Sequence, residues 1–259
     1  MTKLSPDWQL WLQESAVQEY LRRGDDGMPS RRDQISVMLS LIPFSRERAI
    51  NILDLGCGDG ILLDAVLHDF PRTKRAIAVD GSPLMLERAA RRLGALRCVE
   101  YIKGDLSDPQ WSTVLPVDIR YDVIVSGFAI HHLPDGRKRD LYRDIYDLLT
   151  NNGVFVNVEH VKSRTDRGEQ LFEAWYVGHL VELEKARNGS RTPAEIAMDF
   201  TERPGKAINH LAFVEDQLKW LREAGFRNVD CHWKYYELAI FAGEKLLVQA
   251  EPGRGHEGV

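Results

Sequence analysis

The residues best suited to chemistry lie in three short segments, each following an apolar run: Ile52-Leu53-Asp54-Leu55-Gly56-Cys57-Gly58-Asp59-Gly60, Val79-Asp80-Gly81-Ser82-Pro83 and Gly104-Asp105-Leu106. Glycines let a backbone bend tightly and approach a ligand, because no Cβ intervenes. A tight strand-to-helix turn needs the same residues, so the first segment alone is a weak signal. Its spacing is G-x-G-x-G, whereas a dinucleotide fingerprint places the third glycine one position later, which disfavours a bound pyrophosphate. Asp80 follows the glycines by about 20 residues, the distance one strand-helix-strand unit imposes, where a carboxylate accepts hydrogen bonds from both ribose hydroxyls. Asp105 is suited to receive an adenine amino N–H. Each acid alone reads as a helix cap or a solvated turn, but together, at the ends of three consecutive strands, they describe a nucleoside site without a phosphate clamp. Further along, His131-His132 and Glu159-His160 carry groups that titrate near neutral pH. The first pair reads as packing and helix capping, with a catalytic role the alternative. The second reads as a solvated turn or as a general base at the cleft edge.

The elements that must position these residues follow from hydrophobic periodicity. INILDL (50–55), RAIAVD (75–80), LRCVEYI (96–102), YDVIVS (121–126) and GVFVNVE (153–159) read as buried strands, with helical patterns at about 60–69, 83–94 and 137–150 between them. Such alternation predicts a parallel sheet covered on both faces, a doubly wound α/β architecture. Ligands bind such sheets outside the carboxyl ends of the strands, where strand order reverses. Upstream, Trp8, Trp11, Leu12, Ser15 and Tyr20-Leu21 mark one amphipathic helix and residues 31–42 a second. After the fifth strand the pattern turns helical and aromatic over 162–213. A helix over 214–224 then ends at Gly225, and RNVDCHWKYY and ELAIFAGEKLLVQA read as a closing hairpin whose second strand lies near the sheet edge. The expected division is therefore 1–48 N-terminal helices, 49–161 cofactor core, 162–213 helical insertion, 214–250 closing helix and strands, and 251–259 a disordered tail.

These segments resemble the class I S-adenosylmethionine-dependent methyltransferases. The resemblance runs through ILDLGCGDG, AVDGSPLMLERAARRL, KGDLSD, YDVIVSGFAIHHLPD and LLTNNGVFVNVEHV, in the family's order, over roughly residues 50–161. It implies a seven-stranded sheet of order 3-2-1-4-5-7-6 with the last strand antiparallel. It also implies that Asp54, Gly56 and Gly58 hold the methionine part of S-adenosylmethionine. Asp80 would take the ribose with Gly81 and Ser82 beside it, Asp105 and Leu106 the adenine, and Ser126 and Phe128 would lie beside the methyl region. S-adenosylhomocysteine would be the product. The helical insertion followed by HLAFVEDQLKWLREAGF, a strand and YYELAIFAGEK, with RRGDDGMPSRRDQISVMLSLIP before the first strand, is similar, more loosely, to the carboxy-S-adenosylmethionine synthases of tRNA wobble-uridine modification. If that function carried over, Arg203 or Lys206 would bind the carboxylate of the modified cofactor.

Methyl transfer from a sulfonium is an in-line displacement, so such a protein chiefly aligns the nucleophile, removes its proton where needed and excludes water. Glu159 and His160 are the candidate base. Tyr20, Trp175, Tyr176, His179 and Arg203 are the candidate acceptor-binding residues, in an aromatic lid formed with Trp8, Trp11 and Phe172, although such stripes equally read as core. The expected acceptor is a small organic molecule. With 34 Lys+Arg against 39 Asp+Glu, a net charge of −5, nucleic acid is disfavoured as a substrate. The basic runs Arg22-Arg23, Arg31-Arg32 and Arg137-Lys138-Arg139 read as solvated faces. Three dispersed cysteines argue against a disulfide scaffold or structural zinc, and no metal is expected. No run approaches the ~18 apolar residues of a membrane span, and the start of the chain lacks a signal-like pattern, so a cytoplasmic protein is expected. Homo-oligomerisation stays open. The competing readings are a carboxy-S-adenosylmethionine synthase-like enzyme and a non-catalytic cofactor-binding module.

Overall fold

Each predicted strand folds as one because its apolar residues alternate between two buried faces. In the computed structural model, which describes residues 25–94 and 96–247 together with positions 13, 14 and 17, β1 is Asn51–Leu55, β2 Arg75–Asp80, β3 Val99–Lys103, β4 Tyr121–Gly127 and β5 Leu149–His160. The hairpin strands are β6 (Arg227–Tyr235) and β7 (Leu238–Lys245), joined by the two-residue turn Tyr236-Glu237. All seven form one sheet of order β3-β2-β1-β4-β5-β7-β6. The first five are mutually parallel, and β7 runs antiparallel to both β5 and β6. The strand order reverses between β1 and β4, the place where such sheets open a crevice. β7 sits between β5 and β6 and is buried over its first six residues, while β6 takes the sheet edge.

Along β1, Ile52 faces one side and Leu53 the other, and the helices divide accordingly. On one side α1 (Arg31–Ser40), α2 (Ile61–Asp69) and α3 (Pro83–Leu93) bury Met38, Leu63, Val66 and Ala89 against Ile52, Val123, Val156 and Ile240. On the other, α4 (Asp135–Leu148) and α8 (Val214–Ala224) bury Leu141, Ile145 and Leu221 against Leu53, Ile124, Phe155 and Phe241. Side chains set the helix limits. Ser82 caps α3 with Pro83 in its first turn, and Gly225 stops α8 at φ +110°.

Residues 166–207 form α5 (Asp166–Ala186), α6 (Pro193–Thr201) and the four-residue α7 (Pro204–Ala207). Thr165 caps α5, and Thr192 and Glu195 form a reciprocal capping box on α6. The helices share their own apolar cluster, Phe172, Tyr176, Leu180, Ile196 and Phe200, which meets the sheet at Leu238 and Phe128. Both contacts lie at the carboxyl edge of the parallel strands, since β7 runs in reverse.

Two expectations need correction. The Arg137-Lys138-Arg139 run is not a solvated face: Lys138 is fully buried, its ammonium held by the His210 carbonyl and by Asp135 at 2.9 Å. Arg137 bonds the Leu106 carbonyl and Asp144, and Arg139 stacks on Trp220. The third strand starts at Val99 rather than at 96, because residues 96–99 form a turn in which the Val99 N–H bonds the Leu96 carbonyl at 3.2 Å. The expected amphipathic helix around Trp8, Trp11 and Tyr20, and the tail 251–259, lie outside the described residues.

Candidate functional site

The turn after β1 is shaped by close approach. At Gly56, φ is +65° and a Cβ would lie 2.2 Å from the Ala129 Cβ, so only glycine lets the chain pass beneath the β4 loop. At Gly58, by contrast, a Cβ would meet nothing within 4 Å, leaving the backbone open to a ligand. The Cys57 N–H bonds the Val79 carbonyl at 2.9 Å, tying this turn to the end of β2. Asp80 completes the tie: one carboxylate oxygen accepts from the Gly58 N–H at 2.9 Å and the other from the Ser82 N–H at 2.8 Å. Gly81 and Ser82 are buried beside it. Each Asp80 oxygen retains a lone pair, as a ribose diol requires.

Asp54 is buried with no hydrogen-bond partner on either carboxylate oxygen. Burial, followed by the charge of Asp80, pushes its pKa up to about 8. Burial alone raises Asp80, to about 6, against the two backbone bonds that favour its charged form. A buried carboxyl group without a partner, Asp54, beside the carboxylate of Asp80 and an open glycine turn suits a cationic ligand. A sulfonium with an attached ammonium supplies that charge, so the residues fit the methionyl end of S-adenosylmethionine.

At the next strand, Asp105 accepts from the Ser107 N–H at 2.8 Å and from its hydroxyl at 2.7 Å, both on one oxygen. Leu106 is fully buried, with its carbonyl taken by Arg137 at 2.8 Å. Ser126 is committed to the fold, since its buried hydroxyl donates to the Leu55 carbonyl at 2.8 Å and bridges β4 to β1. Phe128, at φ +52°, turns off the end of β4 and packs against both the α1–α3 core and the α5–α6 cluster.

Glu159 and His160 are not a solvated turn; both are buried. Glu159 accepts from His131 Nδ1 at 2.6 Å and from the His160 N–H at 2.8 Å on the same oxygen. Burial raises its pKa to about 7, against the opposing influence of that N–H and of Lys138. Burial, then the charges of His160, Lys138 and Arg203, hold His131 well below the ordinary histidine range. His131 is therefore neutral near pH 7, with Nδ1 on the carboxylate side. His160 forms a second such pair, Nε2 to Glu237 at 2.8 Å, with its ring 5.7 Å from that of His131. His132 is neutral for the same reason, burial first and then His131. The sequence reading found Glu159 and His160 but missed Glu237 and Lys138. Glu237 arrives from the β6–β7 turn and Lys138 from what reads as an exposed charge run, so neither carried a local signal.

The candidate acceptor residues divide. Tyr176 is buried and stacks on Phe200 at 4.6 Å, and Phe172 lies 5.2 Å from the His160 ring, so both build the α5–α6 core. Trp175 packs on Tyr235 and Tyr236 at 4.9 and 5.6 Å. His179 Nε2 donates to the Asp26 carbonyl at 2.7 Å, and the Tyr176 hydroxyl reaches Met28 Sδ at 3.8 Å, fastening α5 to residues 25–28. Arg203 lies over the Phe200 ring at 4.1 Å and bonds the Phe200 carbonyl. Lys206 pairs with Glu173 and, at 3.8 Å, with Glu169, which leaves its charge compensated. Tyr20 lies outside the described residues. Among the described residues there is no cluster suited to a metal ion and no helix long and apolar enough to cross a membrane.

Residues 53–155 match the family model described as a methyltransferase domain. The chain is 27% identical over 198 residues to the carboxy-S-adenosyl-L-methionine synthase of Wolinella succinogenes, covering 75% of each chain. It is 25% identical to that of Klebsiella pneumoniae over 81% of this chain and 84% of the relative. Among solved structures, an O-methyltransferase family protein from Burkholderia thailandensis shares the fold at a TM-score of 0.57 and 16% identity, over 94% of this chain and 70% of that one. Human N-acetylserotonin methyltransferase, solved with S-adenosylmethionine, does so at 0.53 and 16%, over 93% and 66%. The sheet order and the glycine turn with its acids give the chain the Rossmann-like fold of the class I S-adenosylmethionine-dependent methyltransferases, and the match over residues 53–155 supports a methyltransferase of that class with S-adenosylmethionine as its cofactor.

Proposed function

We propose that the protein transfers the methyl group of S-adenosylmethionine to a nucleophilic atom of a small organic molecule held between the carboxyl edge of the sheet and helices α5–α6. One observation carries this reading: a buried histidine, His131, backed at 2.6 Å by Glu159 at the ends of β4 and β5. A carboxylate behind Nδ1 fixes the ring's orientation and leaves Nε2, which no described residue bonds, to take a proton from the acceptor. Glu159 then stabilises the imidazolium formed, the role of the third group in a nucleophile-base-carboxylate chain. Of the two residues first considered as the base, Glu159 supports from behind, and His160 has its Nε2 engaged by Glu237. In this scheme Asp54, Gly56 and Gly58 hold the methionyl group, Asp80 with Gly81 and Ser82 the ribose, and Asp105 and Leu106 the adenine. Phe128 separates cofactor from acceptor, and Trp175, Tyr176, His179 and Arg203 shape the cover.

Incubation with S-adenosylmethionine and a pool of metabolites, read by mass spectrometry, should give S-adenosylhomocysteine and a product heavier by one methyl group. His131→Ala should lower turnover by about 10²–10⁴-fold while leaving cofactor affinity in place. Unchanged turnover in His131→Ala and Glu159→Gln would remove the base assignment.

The similarity to carboxy-S-adenosyl-L-methionine synthases over three quarters of the chain favours a second reading, in which the cofactor itself is carboxylated. Prephenate added with S-adenosylmethionine separates the two: a cofactor gaining the mass of a carboxylate supports the second, and a methylated acceptor the first.

A further inference from the structure

We infer that Arg31 is an anion-binding residue of the acceptor site, so that the acceptor carries a carboxylate. The inference deepens the proposed function and rests on the acceptor lying beneath α5 and α6. Arg31 opens α1, its guanidinium lies over the Phe128 ring at 5.3 Å, and its Nε is buried without a hydrogen-bond partner. Among the described residues its side chain makes no ion pair or hydrogen bond. A buried guanidinium nitrogen left without an acceptor is costly, and a ligand oxygen removes that cost.

Three features place this cation on the acceptor side. Phe128, on which it stacks, packs into the α5–α6 aromatic cluster. Met28, three residues earlier, belongs to the same cluster and touches the Tyr176 hydroxyl. The Asp26 carbonyl is fixed by His179 of α5. The segment thus leaves α5 and delivers Arg31 to the end of β4. The cofactor edge is built differently, from Asp54, Asp80 and Asp59, the last already paired with Arg92 at 2.7 Å. Other cations near the helices are compensated, Lys206 by Glu173 and Arg191 by Glu184 at 2.6 Å. Planar guanidinium stacked on an aromatic ring presents its edge to a carboxylate in bidentate geometry, which an ammonium cannot reproduce.

The test uses the full chain saturated with S-adenosylhomocysteine, with benzoate and phenylacetate as probes and benzamide and phenylacetamide as their neutral counterparts. Calorimetry should show at least one acid binding about tenfold or more tightly than its amide. Arg31→Met should abolish that preference and Arg31→Lys retain part of it, with S-adenosylmethionine affinity changed less than about twofold in both. His131→Ala should leave the preference intact, so failure of the base assignment and failure of this one are told apart. Equal binding of acids and amides by the unaltered protein, or a preference that survives Arg31→Met, overturns the inference. So does loss of S-adenosylmethionine affinity in Arg31→Met with decarboxylated S-adenosylmethionine unaffected, which places the guanidinium on the cofactor's own carboxylate.

Discussion

In the proposed cofactor site, Asp54 is the side chain whose charge state answers most directly to a cationic ligand. Its carboxylate is buried, unbonded and raised to about 8, so near pH 7 it is protonated when nothing cationic is beside it. A bound sulfonium and ammonium favour the ionised form. Binding of S-adenosylmethionine at pH 7 should therefore release protons, seen as a binding enthalpy that varies with buffer ionisation enthalpy. Asp54→Asn should remove that dependence and weaken binding by about 1.5–3 kcal/mol, the range for hydrogen bonds to charged groups. Asp80 differs, because its oxygens already hold the Gly58 and Ser82 backbones. Its loss disturbs the shape of the turn as well as any ribose contact.

At the scale of elements, the site depends on how closely the β1–α2 turn passes under the loop after β4. Gly56→Ala combines a left-handed backbone with a Cβ 2.2 Å from that of Ala129. The backbone part costs about 1–2 kcal/mol and the overlap about 1–3 kcal/mol. Urea denaturation should show a loss within the sum of these ranges. Adding Ala129→Gly should recover the overlap part alone, and complete recovery would show that the backbone conformation is unstrained. The α5–α6 unit is held by apolar contact at Phe128 and Leu238 and by the His160–Glu237 pair beneath Phe172. Its seat is therefore made partly of titratable groups.

Across the whole molecule, the buried ionisable groups couple stability to pH. Asp54 and Glu159 have folded pKa values of about 8 and about 7, above the ordinary 3.8 and 4.5. The folded state holds these protons longer than the unfolded chain, so the stability they contribute is complete below the ordinary values and is lost as pH rises through 7 and 8. His131 and His132 are shifted the opposite way from 6.5, so their contribution is present above that value and is lost as pH falls. Below about pH 6.5 the two effects oppose each other, and above it, of these four groups, the carboxyl groups continue to titrate. The apoprotein should therefore melt at a lower temperature at about pH 8.5 than at about pH 6.5. Saturating S-adenosylmethionine should reduce the drop, and Asp54→Asn should reduce it to the part that Glu159 contributes. A melting temperature that rises over this interval would contradict the carboxylate assignments.

The sequence by itself determined the sheet and its cofactor edge, because both are written locally. Alternating apolar runs specify strands buried on two faces, and G-x-G-x-G with Asp80 and Asp105 at strand ends points to the nucleoside-binding edge proposed above. Only the tertiary structure decided which polar groups meet beyond that edge, because they lie far apart in the chain. His131 meets Glu159 across 28 positions, His160 meets Glu237 across 77, and Lys138 finds the His210 carbonyl across 72. Arg31 acquires meaning only through Phe128, which no spacing rule connects to it. Burial is the physical reason for the division. The pattern of apolar residues predicts which backbone is covered, but not which polar side chains are carried inside with it, and those are the groups whose charge the interior sets.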